Sequence, residues 1–94
     1  MANEAPKRFT KMDASNLARQ LGIDLNEIDI NEFTAGLNVE LEHGKVNPKT
    51  NVTNDDPVVT AKIAWAHLNE VKNYYTLLSE YVEQGEDNNP SQYK

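Results

Sequence analysis

A chain of 94 residues suits one domain with a single modest core, and its lack of cysteine excludes disulfides, thiolate chemistry and cysteine-bound zinc. The formal charge of −6 disfavours direct binding to DNA or RNA, because phosphate backbones repel an acidic chain. The longest uninterrupted apolar stretch, residues 63–66, is far shorter than a membrane span, and the opening MANEAPKR lacks the apolar run of a secretory signal. We therefore expect no membrane segment.

The first predicted helix covers about residues 11–21. Thr10 and Asp13 have the spacing of a capping box, in which side chains and backbone at a helix start bond reciprocally. Gly22 suits the left-handed conformation that ends many helices. The apolar residues at helical spacing between these signals are Ala14, Leu17, Ala18 and Leu21.

The second predicted helix begins after Asp29 and ends at Gly44. Asp29 precedes Glu32 by three residues, which is again the spacing of a capping box. Ile28 and Phe33 stand at the two positions of a hydrophobic staple, which fixes the direction from which the chain enters the helix.

Residues 45–56 are predicted to form a long loop, because their Asn, Asp, Thr and Pro content disfavours regular structure. A loop of this length is uncommon in a small domain unless it is packed or functional. Either Val46 and Val52 pack the loop against the helices, or the loop is presented to a partner. We favour packing.

Asp56 and Pro57 mark the start of the third predicted helix, as an N-cap followed by proline at the first helical position. Its apolar arc runs to Val71 and is wide enough to touch two neighbours, so we expect it to be the central helix. Asn73 is a candidate cap for a fourth helix that continues to Gly85.

These elements predict an all-α fold, a single compact four-helix domain with a long ordered loop between helices two and three. The domain spans residues 9–84, between a flexible N-terminal arm at residues 1–8 and a flexible C-terminal tail at residues 85–94. No phosphate-binding loop, nucleophile elbow or zinc-protease signature is recognisable. We expect neither enzymatic activity nor a cofactor.

Each of the two histidines has a carboxylate three residues away, in Glu40-x-x-His43 and His67-x-x-Glu70. Residues three apart on a helix share a face, and Glu-x-x-His motifs on facing helices hold the ions of di-metal bundles. The four residues are therefore candidate metal ligands. Geometry opposes this hypothesis, because a tight hairpin of helices two and three would keep the pairs apart, and only a large stagger, which the long loop permits, would bring them together. Architectural roles fit more easily, with His43 at the negative end of its helix and His67 as a hydrogen-bonded core residue.

Several blocks stand out between residues 9 and 82: FT at 9–10, ARQLG at 18–22, GLNVELEHG at 36–44, NVT at 51–53 with DDP at 55–57, IAWAHLNE at 63–70, and YY at 74–75 with Leu78. Together they resemble a small family of uncharacterised domains met in bacteria, bacteriophages and large DNA viruses. The family has no assigned activity, so the resemblance transfers no functional residue.

The resemblance implies a compact helical domain encoded by a phage or a virus. It also implies a structural polar cluster that ties the loop to the helices, formed by Glu40, Glu42, His43, Asp55, Asp56, His67, Tyr74 and Tyr75. Lys72 and Asn73 stand where such proteins can carry a proline break. Whether helices three and four are separate or form one bent rod is therefore left open.

The expected function is a non-enzymatic protein-interaction module, most concretely a phage or viral accessory protein or a minor virion structural protein. We expect a protein partner, no direct nucleic acid contact and no membrane contact, and a location in the host cytoplasm or in the virion. The oligomeric state is left open. The alternative is a small metal-binding protein or metalloenzyme that uses Glu40, His43, His67 and Glu70.

Overall fold

A computed structural model describes the backbone of residues 8–88 and the side chains of residues 8–81. The four helices are α1 (Lys11–Leu21), α2 (Ile30–Glu40), α3 (Pro57–Glu70) and α4 (Tyr74–Asn88). Between residues 8 and 88 there is no β-strand, which confirms the predicted all-α single domain. No helix in this part of the chain combines the length and the apolar character needed to cross a membrane. Of the predicted arm at residues 1–8 and the predicted tail at residues 85–94, residues 1–7 and 89–94 lie outside the described residues.

The starts of α1, α2 and α3 follow the predicted capping signals, whereas Glu32 caps α4 in place of the predicted Asn73. Thr10 and Asp13 form both bonds of a capping box, and Gly22 ends α1 in the left-handed region at φ 76°. Asp29 and Asp56 each accept two backbone N–H groups at the starts of α2 and α3. Short polar side chains therefore determine where these helices begin, because they satisfy donors that have no partner inside the helix.

Helix α2 is the central element, which corrects the prediction that α3 is central. It packs against α1, α3 and α4, whereas α3 packs mainly against α2 and α1. Phe33 and Leu37 of α2 are fully buried, and Leu68 of α3 is fully buried against them in the same core. Gly36 leaves a second face of α2 open to the Tyr75 ring of α4, so this helix contacts neighbours on more sides than its apolar stripe indicates.

Helices α3 and α4 are separate, which answers the question that the sequence left open. Val71 follows α3 in an extended conformation, at φ −137° and ψ 111°, and α4 begins at Tyr74. Helix α4 continues three residues past the predicted end at Gly85, to Asn88. Helix α2 ends at Glu40 and gives way to a 3-10 turn, Leu41–His43, before the predicted end at Gly44.

Glu32 caps a helix other than its own. The sequence pairs it with Asp29 in a capping box, but its Oε1 accepts the backbone N–H groups of Tyr75 at 3.0 Å and Thr76 at 3.3 Å. Its other oxygen accepts the Thr76 hydroxyl. A carboxylate at a helix N-terminus accepts hydrogen bonds from unpaired N–H groups, and its negative charge interacts favourably with the positive end of the helix dipole. Glu32 therefore attaches the start of α4 to α2.

We expect Glu32→Ala to lower the free energy of unfolding by about 1–2 kcal/mol, because the first turn of α4 loses its cap. Alanine is itself a good helix former, so the loss would not reflect helix propensity. Urea unfolding measures the change, and Asn31→Ala, at an exposed neighbouring position of α2, serves as the control. Equal stability of Glu32→Ala and the unmodified chain would contradict the capping role.

Candidate functional site

A buried carboxylate lies at the centre of the polar cluster. The Glu40 side chain is 6% exposed, and its Oε2 accepts the Tyr75 hydroxyl at 2.7 Å. The Nε2 atom of His67 lies 3.5 Å from the same oxygen, and the Nε2 atom of His43 lies 3.8 Å from Oε1. One carboxylate thus faces both histidines of the chain, and we call these four residues the Glu40 cluster.

Each helical element contributes one member of the Glu40 cluster, apart from α1 and a second 3-10 turn, Pro48–Thr50, in the loop that was predicted to lack regular structure. Glu40 is the last residue of α2, the 3-10 turn after it carries His43, the last turn of α3 carries His67, and the first turn of α4 carries Tyr75. Gly36 makes the approach of α4 possible, because a Cβ atom at that position would lie 2.9 Å from Cδ2 of the Tyr75 ring. The cluster therefore joins the ends of three helices.

Aromatic contacts fix the position of His67. Its ring stacks on Tyr74 with centroids 4.4 Å apart and an interplanar angle of 2°. Tyr75 meets both rings edge-on, at 6.1 Å from His67 and 4.9 Å from Tyr74. Offset and edge-on arrangements of this kind are the favoured geometries of aromatic pairs. The packing of these rings therefore holds the imidazole with Nε2 toward Glu40.

The members of the Glu40 cluster differ widely in their exposure to solvent. The side chains of His67 and His43 are 36% and 57% exposed, whereas Glu40 is almost fully enclosed. An enclosed carboxylate is costly unless hydrogen bonds or cations compensate it, and here the Tyr75 hydroxyl donates a hydrogen bond to Glu40, while the two imidazoles lie within 4 Å of its oxygens. Burial, followed by the hydrogen bond to Glu40, raises the pKa of Tyr75 well above its usual value near 10. Tyr75 is therefore a persistent hydrogen-bond donor.

The raised pKa of Tyr75 predicts a loss of stability in alkali. A group whose pKa is higher in the folded state contributes stability that is complete below its unfolded pKa and is lost above it. We expect the stability advantage of the unmodified chain over Tyr75→Phe to shrink by about 1.4 kcal/mol between about pH 8 and about pH 11. Urea unfolding of both proteins at the two pH values measures this. The lysines and the other tyrosines cancel in the comparison, so a constant difference would contradict the prediction.

The structure brings some of the predicted site residues together and leaves others apart. Glu40, His43 and His67 meet, although the sequence argument expected the two Glu/His pairs to stay apart. The long loop lets the last turn of α3 reach the end of α2, which is the arrangement that the sequence left open as the alternative to a tight hairpin. Glu70 and Glu42 are exposed and do not join the Glu40 cluster.

The remaining members of the predicted polar cluster divide between two places. Tyr74 and Tyr75 lie at the Glu40 cluster. Asp55 instead accepts the backbone N–H of Lys45 at 2.8 Å, and Asp56 caps α3. The Glu40 cluster and the loop are therefore two separate sites, and the backbone of His43 connects them.

A metal ion would need a third ligand at suitable distance and angle. Among residues 8–81 no group of three or more His, Asp or Glu side chains is arranged to hold one. Within the Glu40 cluster, Oε2 of the carboxylate already accepts the Tyr75 hydroxyl. The cluster as it stands is built for hydrogen bonding between helices.

The loop between α2 and α3 is held by its own polar groups. The carbonyl of His43 accepts the N–H groups of Val52 at 2.6 Å and Thr53 at 3.3 Å. The side chain of Asn51 accepts the N–H of Asn54 at 2.7 Å, and the Thr53 hydroxyl accepts the N–H of Asp55 at 3.1 Å. Most N–H groups of residues 44–56 are bonded in this way, which fixes the backbone without an apolar core.

Two further features restrict the backbone of the loop. Asn54 and Asp55 adopt the left-handed region, at φ 54° and 62°, which Asn and Asp tolerate better than most residues. A Cβ atom at Gly44 would collide with the Asp55 carboxylate and lie 2.9 Å from the Thr53 hydroxyl oxygen. Glycine at this position lets the two ends of the loop meet.

The valines of the loop point to solvent. Val46 is 75% exposed and Val52 is 73% exposed, so the prediction that they pack the loop onto the helices is wrong. Thr53 supplies the buried contact instead, at 3% exposure. Nothing in the sequence distinguished these outcomes, because hydrogen bonds from Asn, Asp and Thr replace apolar burial. The loop is an ordered surface with two exposed apolar side chains.

Comparison with known proteins places the chain in a family. Neither the curated proteins nor the solved structures contain a match. A family model described as a protein of unknown function, DUF5661, matches residues 14–84. This range contains all four members of the Glu40 cluster and the whole loop. The chain therefore belongs to the DUF5661 family.

Proposed function

We propose that this protein is a non-enzymatic protein-interaction module that binds its partner through the loop at residues 44–56. The observation that carries the proposal is the exposure of Val46 and Val52 on a backbone that is already fixed by hydrogen bonds. Binding costs less when the binding surface is ordered in advance, because less conformational entropy is lost. A rigid loop with exposed valines suits recognition, because these two side chains contribute nothing to the core.

The Glu40 cluster contributes to this function by holding the loop in position on the helices. The carbonyl of His43 anchors the middle of the loop, while its imidazole faces the carboxylate that joins α2, α3 and α4. The loop is therefore attached to the most polar junction of the helices. No separate cleft is needed for such a role, and the four members of the cluster act in it as architecture.

The proposal extends to the setting of the protein. The small size, the acidity and the resemblance to domains of bacteria, phages and large DNA viruses support a phage or viral accessory protein or a minor virion component. Such a protein would act in the host cytoplasm or in the virion. Detection of the chain in purified particles by mass spectrometry tests the virion assignment, and its absence from particles would limit the role to the host cell.

A capture experiment tests the interaction. The full chain is immobilised and exposed to an extract of the cells that produce it, beside the double variant Val46→Ser/Val52→Ser. Met12→Ser is the matched control, because Met12 lies on α1 and is also 73% exposed. We expect one partner to be retained by the unmodified chain and by Met12→Ser, and lost by the double variant. Equal capture by all three, or a measurable turnover of a substrate, would refute the proposal.

The metal-binding alternative predicts that added metal ions raise the midpoint of thermal unfolding, whereas the interaction module predicts no change. Glu40, His43 and His67 do converge, and a bound ion would stabilise the folded state by an amount that grows with the logarithm of the ion concentration above its Kd. We expect the midpoint of thermal unfolding to stay unchanged on addition of Zn²⁺, Mn²⁺ or Fe²⁺. A rise that disappears in both His43→Gln and His67→Gln, but persists in Glu70→Gln, would establish the metal site and displace the interaction module as the leading function.

A further inference from the structure

The loop differs in charge from the rest of the protein. Residues 45–54 contain Lys45 and Lys49 and no Asp or Glu. The other 84 residues contain seven Lys or Arg against fifteen Asp or Glu, which leaves them with a formal charge of −8. Both lysines are exposed, as are Val46 and Val52 between and beside them. The loop tip is therefore a positive and apolar spot on an acidic molecule.

The two acidic residues at the end of the loop, Asp55 and Asp56, bond to backbone N–H groups of the loop and of α3. Asp55 accepts the N–H of Lys45 at 2.8 Å, and Asp56 accepts the N–H of Val58 at 2.9 Å. Glu42 is exposed and precedes the loop. Neither Lys45 nor Lys49 forms an ion pair with any of the side chains that the structure describes. The two ammonium groups are thus available to carboxylates from outside.

We propose that the partner segment bound by this loop is an acidic peptide that carries a large apolar side chain next to its carboxylates. This inference rests on the proposed function and adds the chemistry of the partner. Carboxylates of the peptide would meet Lys45 and Lys49, and its apolar side chain would cover Val46 and Val52. Opposite charges at an interface speed association and select the partner, while the apolar contact slows dissociation.

The same observations disfavour a nucleic acid. Two lysines neutralise few phosphates, and the charge of −8 on the remaining residues repels the rest of a phosphate backbone. The loop itself, residues 44–56, contains no aromatic ring on which a base could stack. The exposed valines can contribute to binding only by contact with an apolar surface, which a phosphate backbone does not offer.

A peptide selection tests the proposal without knowledge of the natural partner. A displayed library of random peptides of about twelve residues is selected on the immobilised full chain. Enriched peptides are synthesised, and their affinity is measured by fluorescence polarisation at about 50 mM and about 300 mM NaCl. We expect them to contain two or more Asp or Glu beside Leu, Ile, Phe or Trp, and to bind about tenfold more weakly at the higher salt.

Matched variants separate charge from apolar contact. We expect Lys45→Ser/Lys49→Ser and Val46→Ser/Val52→Ser each to weaken binding by about tenfold or more. Lys11→Ser/Lys62→Ser removes two exposed lysines of the helices and should leave binding unchanged. Circular dichroism confirms that every variant is folded. The loop variants are expected to fold normally, because the four side chains are exposed.

The outcomes are distinguishable. Peptides that need the valines but carry no acidic residues would overturn the partner chemistry and leave the proposed function standing. Failure to select any peptide whose binding needs the valines would overturn both. Tighter binding of a single-stranded oligonucleotide of about 20 nucleotides, lost in Lys45→Ser/Lys49→Ser, would replace the peptide by a nucleic acid.

Discussion

Replacing Tyr75 with phenylalanine should lower the free energy of unfolding by about 2–3 kcal/mol, although it removes a single oxygen atom. The hydroxyl donates to Glu40 at 2.7 Å, and both residues are buried. Phenylalanine preserves the packing of the ring but takes away the hydrogen bond that the enclosed carboxylate accepts. A lost bond to a buried charged group costs more than one between neutral groups. Urea unfolding near neutral pH measures the change.

Two controls identify the cause of that loss. Tyr74→Phe removes a hydroxyl from the neighbouring ring of the stack and should change stability by less than about 0.5 kcal/mol. In a Glu40→Met background no carboxylate awaits the hydroxyl, so Tyr75→Phe should cost little there. An equal cost of Tyr75→Phe with and without Glu40 would show that the hydrogen bond is not responsible.

Gly36→Ala should also destabilise the protein by about 2–3 kcal/mol, whereas helix propensity alone predicts a gain of about 1 kcal/mol. The new Cβ atom would lie 2.9 Å from Cδ2 of Tyr75, and the ring is buried between α2 and α4. To relieve the contact the ring must move, and its hydroxyl then leaves Glu40. Thermal or urea unfolding shows which of the two signs is correct.

A smaller side chain at position 75 separates these effects. In a Tyr75→Leu background the ring is absent, so Gly36→Ala should become neutral or stabilising. The reverse change at the exposed neighbour, Ala35→Gly, reports propensity alone and should cost about 1 kcal/mol. If Gly36→Ala stabilises the unmodified chain, then α2 and α4 do not approach as closely as we describe.

Local signals gave much of the fold. The starts of α1, α2 and α3 were predictable from Thr10, Asp29 and Asp56, because each cap is a bond between a side chain and a backbone group two or three residues later. Such bonds depend on neighbouring residues alone. Helical periodicity likewise identified the apolar stripes, so the number of helices and the all-α class followed from the sequence.

Long-range contacts gave most of the candidate site. Glu32 has the spacing of a capping-box residue but bonds to Tyr75 and Thr76, more than forty residues later. Glu40 has the spacing of a pair with His43, yet its hydrogen bond comes from Tyr75, 35 residues away. Spacing along one helix indicates which residues share a face, but not which neighbouring helix covers that face.

The sequence by itself determined the composition limits, the four helices and the caps of α1, α2 and α3, because these depend on residue types and on contacts within one or two turns. The tertiary structure alone decided that α2 is central, that both histidines meet at Glu40, and that the valines of the loop face solvent. The physical reason is that packing directions and loop paths result from contacts between distant segments. A buried carboxylate at the junction of three helices, and a loop held by amide hydrogen bonds, exist only after those segments have met.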